Sequence, residues 1–325
     1  MQRVGFAGHW PLPFRTPTPV GAAAGEARPA ERVWPAWSLV LLGLVAAVDA
    51  LWLVATRVSL SMPGLVLPWS MAALIAVLLR RSSLRPRVRT LLSGLAFMLA
   101  AWPALRVYNH LVMTTGMPLA DARLSAWDSA LGFDWLGYLL WLDRHPLLLY
   151  WMDWAYGGLT AYSAAAFVLV LLLIGAGRAR EFLLLFLITA VAASTIGLFF
   201  PALAAMTYYA PDPELFRTVP ANLGAYHVDI LDRLRTAAAP VLDLRHLPGL
   251  TTFPSFHTAM GVVVVWCSRG SRILFAPMLA LNALMIASTP AFGSHYFVDI
   301  LAGAALAAAA VLLLGRIERG RVSEG

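Results

Sequence analysis

The sequence predicts an all-α, polytopic membrane bundle, and three observations carry that reading. Of 325 residues, 60% are hydrophobic and only 13% are charged, with a mean hydropathy of +0.73. A soluble domain of this length has no use for so much apolar residue. The apolar residues also fall in eight continuous runs, each long enough or nearly so to cross a bilayer as a helix. Continuous rather than alternating runs speak against a β-barrel. Finally, the basic residues, all 24 of them arginine, cluster at the ends of these runs. A pI near 10.1 would otherwise suit a nucleic-acid binder, but membrane topology accounts for the arginines, so no nucleic-acid partner is expected. The single cysteine, Cys267, excludes an intramolecular disulfide and any multi-thiolate metal site.

Residues 1–36 are rich in Pro, Gly, Ala and Arg and lack the apolar core of a cleavable signal, so they read as a disordered cytoplasmic tail. The run 37–56 then serves as an uncleaved signal anchor, and with 59–79 it makes an N-terminal pair of transmembrane helices within 37–90. Asp49, inside the first run, is either a functional acid or half of a structural pair. A membrane domain over 91–315 holds the remaining six runs, at 91–115, 146–174, 182–204, 255–268, 273–290 and 295–315. Pro201, after Phe199 and Phe200, ends the fifth run, and only the turn from Cys267 to Arg272 separates the sixth from the seventh. The connector 116–145 carries Trp127, Trp135 and Trp141 among acids, the pattern of an interfacial helix along the headgroups. The connector 205–252 is either a lid or a solvated link. A short polar cytoplasmic tail closes the chain at 316–325.

Arginine placement orients the bundle. With the N-terminus inside, 16 of the 24 arginines fall on cytoplasmic pieces, while nine loop acids fall outside. That asymmetry follows the positive-inside rule, and an even number of spans returns the C-terminus to the cytoplasm of a cell inner membrane. His257, His295 and Asp299 then all lie at the outer ends of helices.

Those three residues carry the chemistry. His295 and Asp299 are spaced i, i+4, which on a helix puts them on one face within hydrogen-bonding reach. A carboxylate holding one ring nitrogen leaves the other free to attack or to shuttle a proton. His257 supplies an acid for a leaving oxygen. Ser255 reads as the N-cap of the sixth helix, and Gly293-Ser294 as its counterpart ahead of the eighth, so two helix N-termini converge as a phosphate cradle. Either histidine alone reads as an interfacial anchor. Matched in depth, with Asp299 one turn from His295, they read as a site. One carboxylate and two histidines at helix N-termini match a metal triad poorly, so neither metal nor cofactor is expected.

Pro254-Ser255-Phe256-His257 resembles the Pro-Ser-Gly-His motif of the type-2 phosphatidic acid phosphatase superfamily, and Ser288 to Asp299 resembles its last motif, Ser-Arg-x5-His-x3-Asp. The match departs at Thr289, which stands where the family has its phosphate-binding Arg. The first motif, Lys-x6-Arg-Pro, is missing, since Arg85-Pro86 falls on the cytoplasmic side. Those losses, with His295-Tyr296-x-x-Asp299-x-x-Ala302-Gly303, look more like the inositolphosphotransferase branch, which includes inositol phosphorylceramide synthase. Asp153-Trp154-Ala155-Tyr156-Gly157 is similar to an acidic patch of that branch. The resemblance covers roughly residues 100–315 and implies a six-helix phosphatase-type core.

It further implies a two-step displacement on a lipid-linked phosphate. His295 attacks phosphorus, Asp299 steadies the imidazolium, and His257 protonates the departing oxygen; a lipid or other alcohol, or water, then resolves the phosphohistidine. Ser255, Ser294, Tyr296 and Asp153 fall in the substrate-binding set. Arg106 and Arg245 are the candidates to replace the missing motif cations, each with a plainer reading as a snorkelling anchor or a solvated loop residue. The alternatives are a lipid phosphate or isoprenyl diphosphate hydrolase and, from another class, a transporter or non-catalytic lipid-binding protein. Transporters place charges near the bilayer midplane, whereas apart from Asp49 this chain keeps its polar groups near one surface.

Overall fold

The computed structural model describes residues 34–61, 63–81, 84–244 and 247–323. Most of the expected N-terminal tail, and Arg245, lie outside the described residues. The two N-terminal apolar runs form α1 (Ala36–Ala55) and α2 (Pro63–Arg81), and the third forms α3 (Pro86–Leu111). Proline at the first position of α3 has its φ already set for a helix and lacks only an N–H that would be unpaired there, so the helix starts five residues before the apolar run. A parallel pair of two-residue strands, β1 (Ser59–Leu60) and β2 (Val241–Leu242), ties the α1–α2 turn to the long connector.

The 116–145 connector corrects the expectation of a single interfacial helix. It folds as α4 (Asp121–Ala130) and α5 (Trp135–Asp143), broken at Gly132, whose φ of 78° suits glycine. Trp135 is not at the interface but 2% exposed, its indole N–H donating to the Pro290 carbonyl at 3.1 Å. Trp127 and Trp141 remain exposed.

The fourth run is also not one straight helix. It divides into α6 (Pro146–Gly157) and α7 (Leu159–Leu173), bent by 62° at Gly157-Gly158. Two adjacent residues without side chains weaken the helix where the turn is needed. The fifth run becomes α8 (Ala176–Gly197), ending four residues before Pro201. At Gly197 an added Cβ would collide with Thr251, so the approach of the long connector limits the helix there.

That connector holds α9 (Ala205–Tyr209) and α10 (Val228–Thr236) before the chain enters α11 (Phe256–Ser268), α12 (Arg272–Phe292) and α13 (Phe297–Ser323). The expected polar tail is therefore helical as far as Ser323. Among the described residues five helices are long and apolar enough to cross a membrane, six if α6 and α7 count as one broken span; α2 and α11 are shorter apolar helices.

Three apolar clusters organise the bundle. The largest joins α3, α7, α8, α11, α12 and α13 through residues such as Leu184, Leu187, Val263 and Met285. Close approach of α11 to α12 depends on Gly261, where a Cβ would meet Met285 Cε at 2.7 Å. A second cluster packs α4, α5 and α6 against α9 and the α12–α13 junction through Leu124, Trp135, Leu139, Tyr156, Met206 and Tyr296. The third seats α10 and β2 on the end of α3 through Leu111, Met113, Leu231 and Leu242. The second cluster forms one wall of the site.

Candidate active site

Local sequence places the first histidine. Ser255 is the N-cap of α11, its hydroxyl accepting the Thr258 N–H at 3.3 Å, and this sets His257 in the first turn. The Ser255 N–H donates to the Asp299 carbonyl at 3.0 Å, which binds the two histidine motifs to each other. Gly303, one turn further along α13, permits this approach, because a Cβ there would run into the Ser255 carbonyl oxygen.

His295 is not in the first turn of a helix. It sits in the connector between α12 and α13, which begins at Phe297, and Ser294 before it holds φ at 52°. The expected bond forms nevertheless. His295 Nδ1 lies 3.0 Å from Asp299 Oδ2, and the same oxygen accepts the Tyr296 N–H at 3.0 Å. With Nδ1–H donated to the carboxylate, Nε2 keeps a lone pair. Burial, with the residue 4% exposed, pushes the His295 imidazole down to about 4, so it is neutral at ordinary pH. The His257 and His295 ring centroids are 6.5 Å apart at 65°.

The expected cradle of two helix N-termini is not built as anticipated. At α13 the Phe297 and Val298 N–H groups donate at 2.8 Å to the two oxygens of Asp128 on α4, so a protein carboxylate already fills that terminus. The Ser294 hydroxyl accepts the Met206 N–H at 2.6 Å, and the Ser294 carbonyl accepts the Ala205 N–H at 2.8 Å. Tyr296 is fully buried and its hydroxyl donates to Asp121 at 2.9 Å; Asp121 also takes the Leu203 and Ala204 N–H groups. Ser294 and Tyr296 thus fasten the His295 connector to α4 and to the 203–206 segment. Asp153 lies exposed on α6, whereas Tyr156 on the same helix is buried.

Arg106 on α3 is half-buried and within electrostatic reach of Tyr226 and His257. Asn109, one turn later, holds α3 against the strand leading into α11, accepting the Leu250 N–H at 2.9 Å and donating to Thr251 at 2.5 Å. Thr289 is fully buried with its hydroxyl donating back to the Met285 carbonyl at 3.0 Å.

Several residues at the site lie outside the set singled out from the sequence. The Tyr156 ring stacks on His257, with centroids 4.4 Å apart and planes 12° from parallel. Its hydroxyl lies 3.1 Å from that of Tyr226. A Cβ at Gly293 would meet His295 Cδ2 at 2.5 Å and the Tyr156 hydroxyl at 2.6 Å, so glycine is needed where the two rings converge. His227 lies close enough to His295 that a charge on one would disfavour a charge on the other. The one sequence signal for Asp121 and Asp128 is their seven-residue spacing, two turns on one face of α4.

A buried His–Asp pair facing a second histidine at one end of a polytopic apolar bundle defines a membrane enzyme of the phosphate-transferring kind. A family model described as the PAP2 superfamily matches residues 122–313, more than half of the chain, and the chain belongs to that superfamily. Membership supports a phosphatase or phosphotransferase acting on lipid phosphates. The match runs from α4 into α13, leaving α1 to α3 outside it. No curated protein and no solved structure matches the chain.

Proposed function

We propose that this enzyme is a phosphotransferase of the inositolphosphotransferase type, moving a headgroup phosphate from one membrane lipid to an alcohol through a phosphohistidine on His295. The observation that carries the reading is the side chain at Thr289, which is turned into its own helix and offers phosphate no cation. Arg106, within electrostatic reach of His257, is then a modest source of positive charge. A phosphodiester carries one negative charge and needs less compensation than a dianionic phosphomonoester.

In the first step His295 Nε2 attacks phosphorus while Asp299 offsets the charge growing on the imidazole. His257 gives a proton to the departing diacylglycerol oxygen. In the second step an alcohol oxygen attacks the phosphohistidine, the P–N bond breaks with its electron pair returning to Nε2, and His257, left neutral by the first step, takes the alcohol proton. Near-complete burial of His295 supports transfer over hydrolysis, because water has poor access to the intermediate. We place the site at the outer face of a cell inner membrane, with both termini cytoplasmic.

Purified enzyme in detergent, given phosphatidylinositol, phosphatidylglycerol or phosphatidic acid with and without diacylglycerol or a long-chain alcohol, tests the proposal. Faster turnover of a diester with a new acceptor-linked product is expected. Phosphatidic acid hydrolysed faster than any diester, with no product gained from the acceptor, would assign the enzyme to the hydrolases.

A further inference from the structure

The segment 220–228 crosses the site without belonging to either histidine motif. Gly224, with φ of 73°, packs so tightly on the α12–α13 connector that a Cβ would meet the Ser294 nitrogen at 2.8 Å and the Ala291 carbonyl at 2.7 Å. Three residues later His227 turns inward and is 3% exposed. Its ring is held by hydrogen bonds to the backbone of Leu203 and Gly224, yet its Nε2 is buried with no partner. With Nε2 unpaired, the backbone bonds fall to Nδ1, which donates its proton to carbonyl oxygen. Nε2 therefore presents a bare lone pair within electrostatic reach of His295.

A buried acceptor without a donor costs folding free energy, and such orphans in native proteins call for an explanation. No protein donor lies within hydrogen-bonding distance of that nitrogen, and the Tyr296 hydroxyl proton is already given to Asp121. His227 also remains uncharged, because burial first, and second the repulsion it would meet from a protonated His295, push it down to about 4. A neutral nitrogen acceptor suits a neutral hydroxyl, and has no attraction for a phosphate oxygen.

We propose that His227 Nε2 accepts a hydrogen bond from an alcohol hydroxyl of a reactant held at His295, making it a specificity-determining residue for hydroxylated substrates. The hydroxyl belongs either to the headgroup whose phosphate His295 carries or to the acceptor alcohol. The inference rests on the phosphotransferase reading.

Purified full-length wild type, His227→Phe and His227→Gln are compared in detergent micelles. The donor arm measures KM and kcat for phosphatidylglycerol and for phosphatidic acid, which has no headgroup hydroxyl. The acceptor arm measures the ratio of glycerol-linked product to hydrolysis as glycerol is added. His227→Phe is expected to raise KM for phosphatidylglycerol about tenfold with little change for phosphatidic acid, or to lower the transfer-to-hydrolysis ratio about tenfold, the size of one hydrogen bond. The first result assigns the headgroup and the second the acceptor. His227→Gln, whose carboxamide oxygen also accepts, is expected to recover part of the loss. Equal loss on every substrate, or no loss in either arm, overturns the inference and leaves the transferase reading standing. Wild type that processes phosphatidic acid alone and never transfers to glycerol overturns both.

Discussion

The reactivity proposed for His295 rests on three local facts: a carboxylate on Nδ1, near-complete burial, and a second imidazole nearby. His295→Ala is expected to abolish both turnover and the covalent adduct, since it removes the attacking nitrogen. Asp299→Asn is expected to cost about two orders of magnitude or more by favouring the wrong tautomer. His257→Ala is expected to keep adduct formation from substrates with a good leaving group. Trapping labelled phosphate on each variant checks the assignment, and an adduct lost in His257→Ala but kept in His295→Ala would reverse the roles. The same burial has a pH signature. His227 and His295 titrate at about 4 in the fold against an ordinary 6.5, so the unfolded chain binds more protons between those values. Stability present at pH 7 is therefore lost as pH falls from 6.5 toward 4, by on the order of 2 kcal/mol per histidine at pH 5. Melting in detergent at pH 7.5 and pH 5.0 measures this, and His227→Phe is expected to shrink the difference.

At the scale of elements, the site depends on close approaches that single residues permit. α11 and α13 touch because Gly303 leaves space for the Ser255 carbonyl. Gly303→Ala is expected to force the helices apart, costing about 1–3 kcal/mol of stability and most of the activity. A variant with wild-type kcat and melting temperature would contradict this reading of the junction. α4 contributes in the opposite way, by supplying charge. Asp128 closes the N-terminus of α13, and Asp128→Ala leaves two N–H groups at that terminus without their acceptor. The expected loss is about 1–3 kcal/mol, read from melting temperature, with Asp128→Asn recovering part of it. Neither α4 nor the 62° break after α6 was legible as such. The Trp-bearing connector has the composition of an interfacial helix, and only the approach of α12 buries Trp135. Gly157-Gly158 marks a weak point in the fourth run, but the direction of the bend, which carries Tyr156 onto His257, depends on packing against α12.

Across the whole molecule the two ends of the bundle differ in chemistry. One end holds His257, His295 and Asp299 under the α4–α5 and 220–228 segments. On the chain around the α7–α8 and α11–α12 turns, Arg178 pairs with Glu181, and Glu181 in turn accepts the Trp266 indole N–H at 2.8 Å. Arginine distribution predicts that this second end faces the cytoplasm. Reporter fusions after Gly175 and after Leu250 are expected to read inside and outside respectively. The reverse pattern would contradict both the orientation and the outer-face site.

The sequence by itself determined the helical membrane class and singled out the three candidate residues of the site, because both are short-range properties. Apolar run length decides a span within some 20 residues, and the His295–Asp299 bond closes within four. It did not determine what surrounds them. Tyr156 and Tyr226 meet across 70 residues of chain, and Asp121 and Tyr296 across 175. Nothing in the composition around His227 distinguishes it from a solvated loop histidine. Such pairings arise only when helices pack, since which polar groups are buried together, and which one is left without a partner, is a property of the folded surface rather than of any local segment.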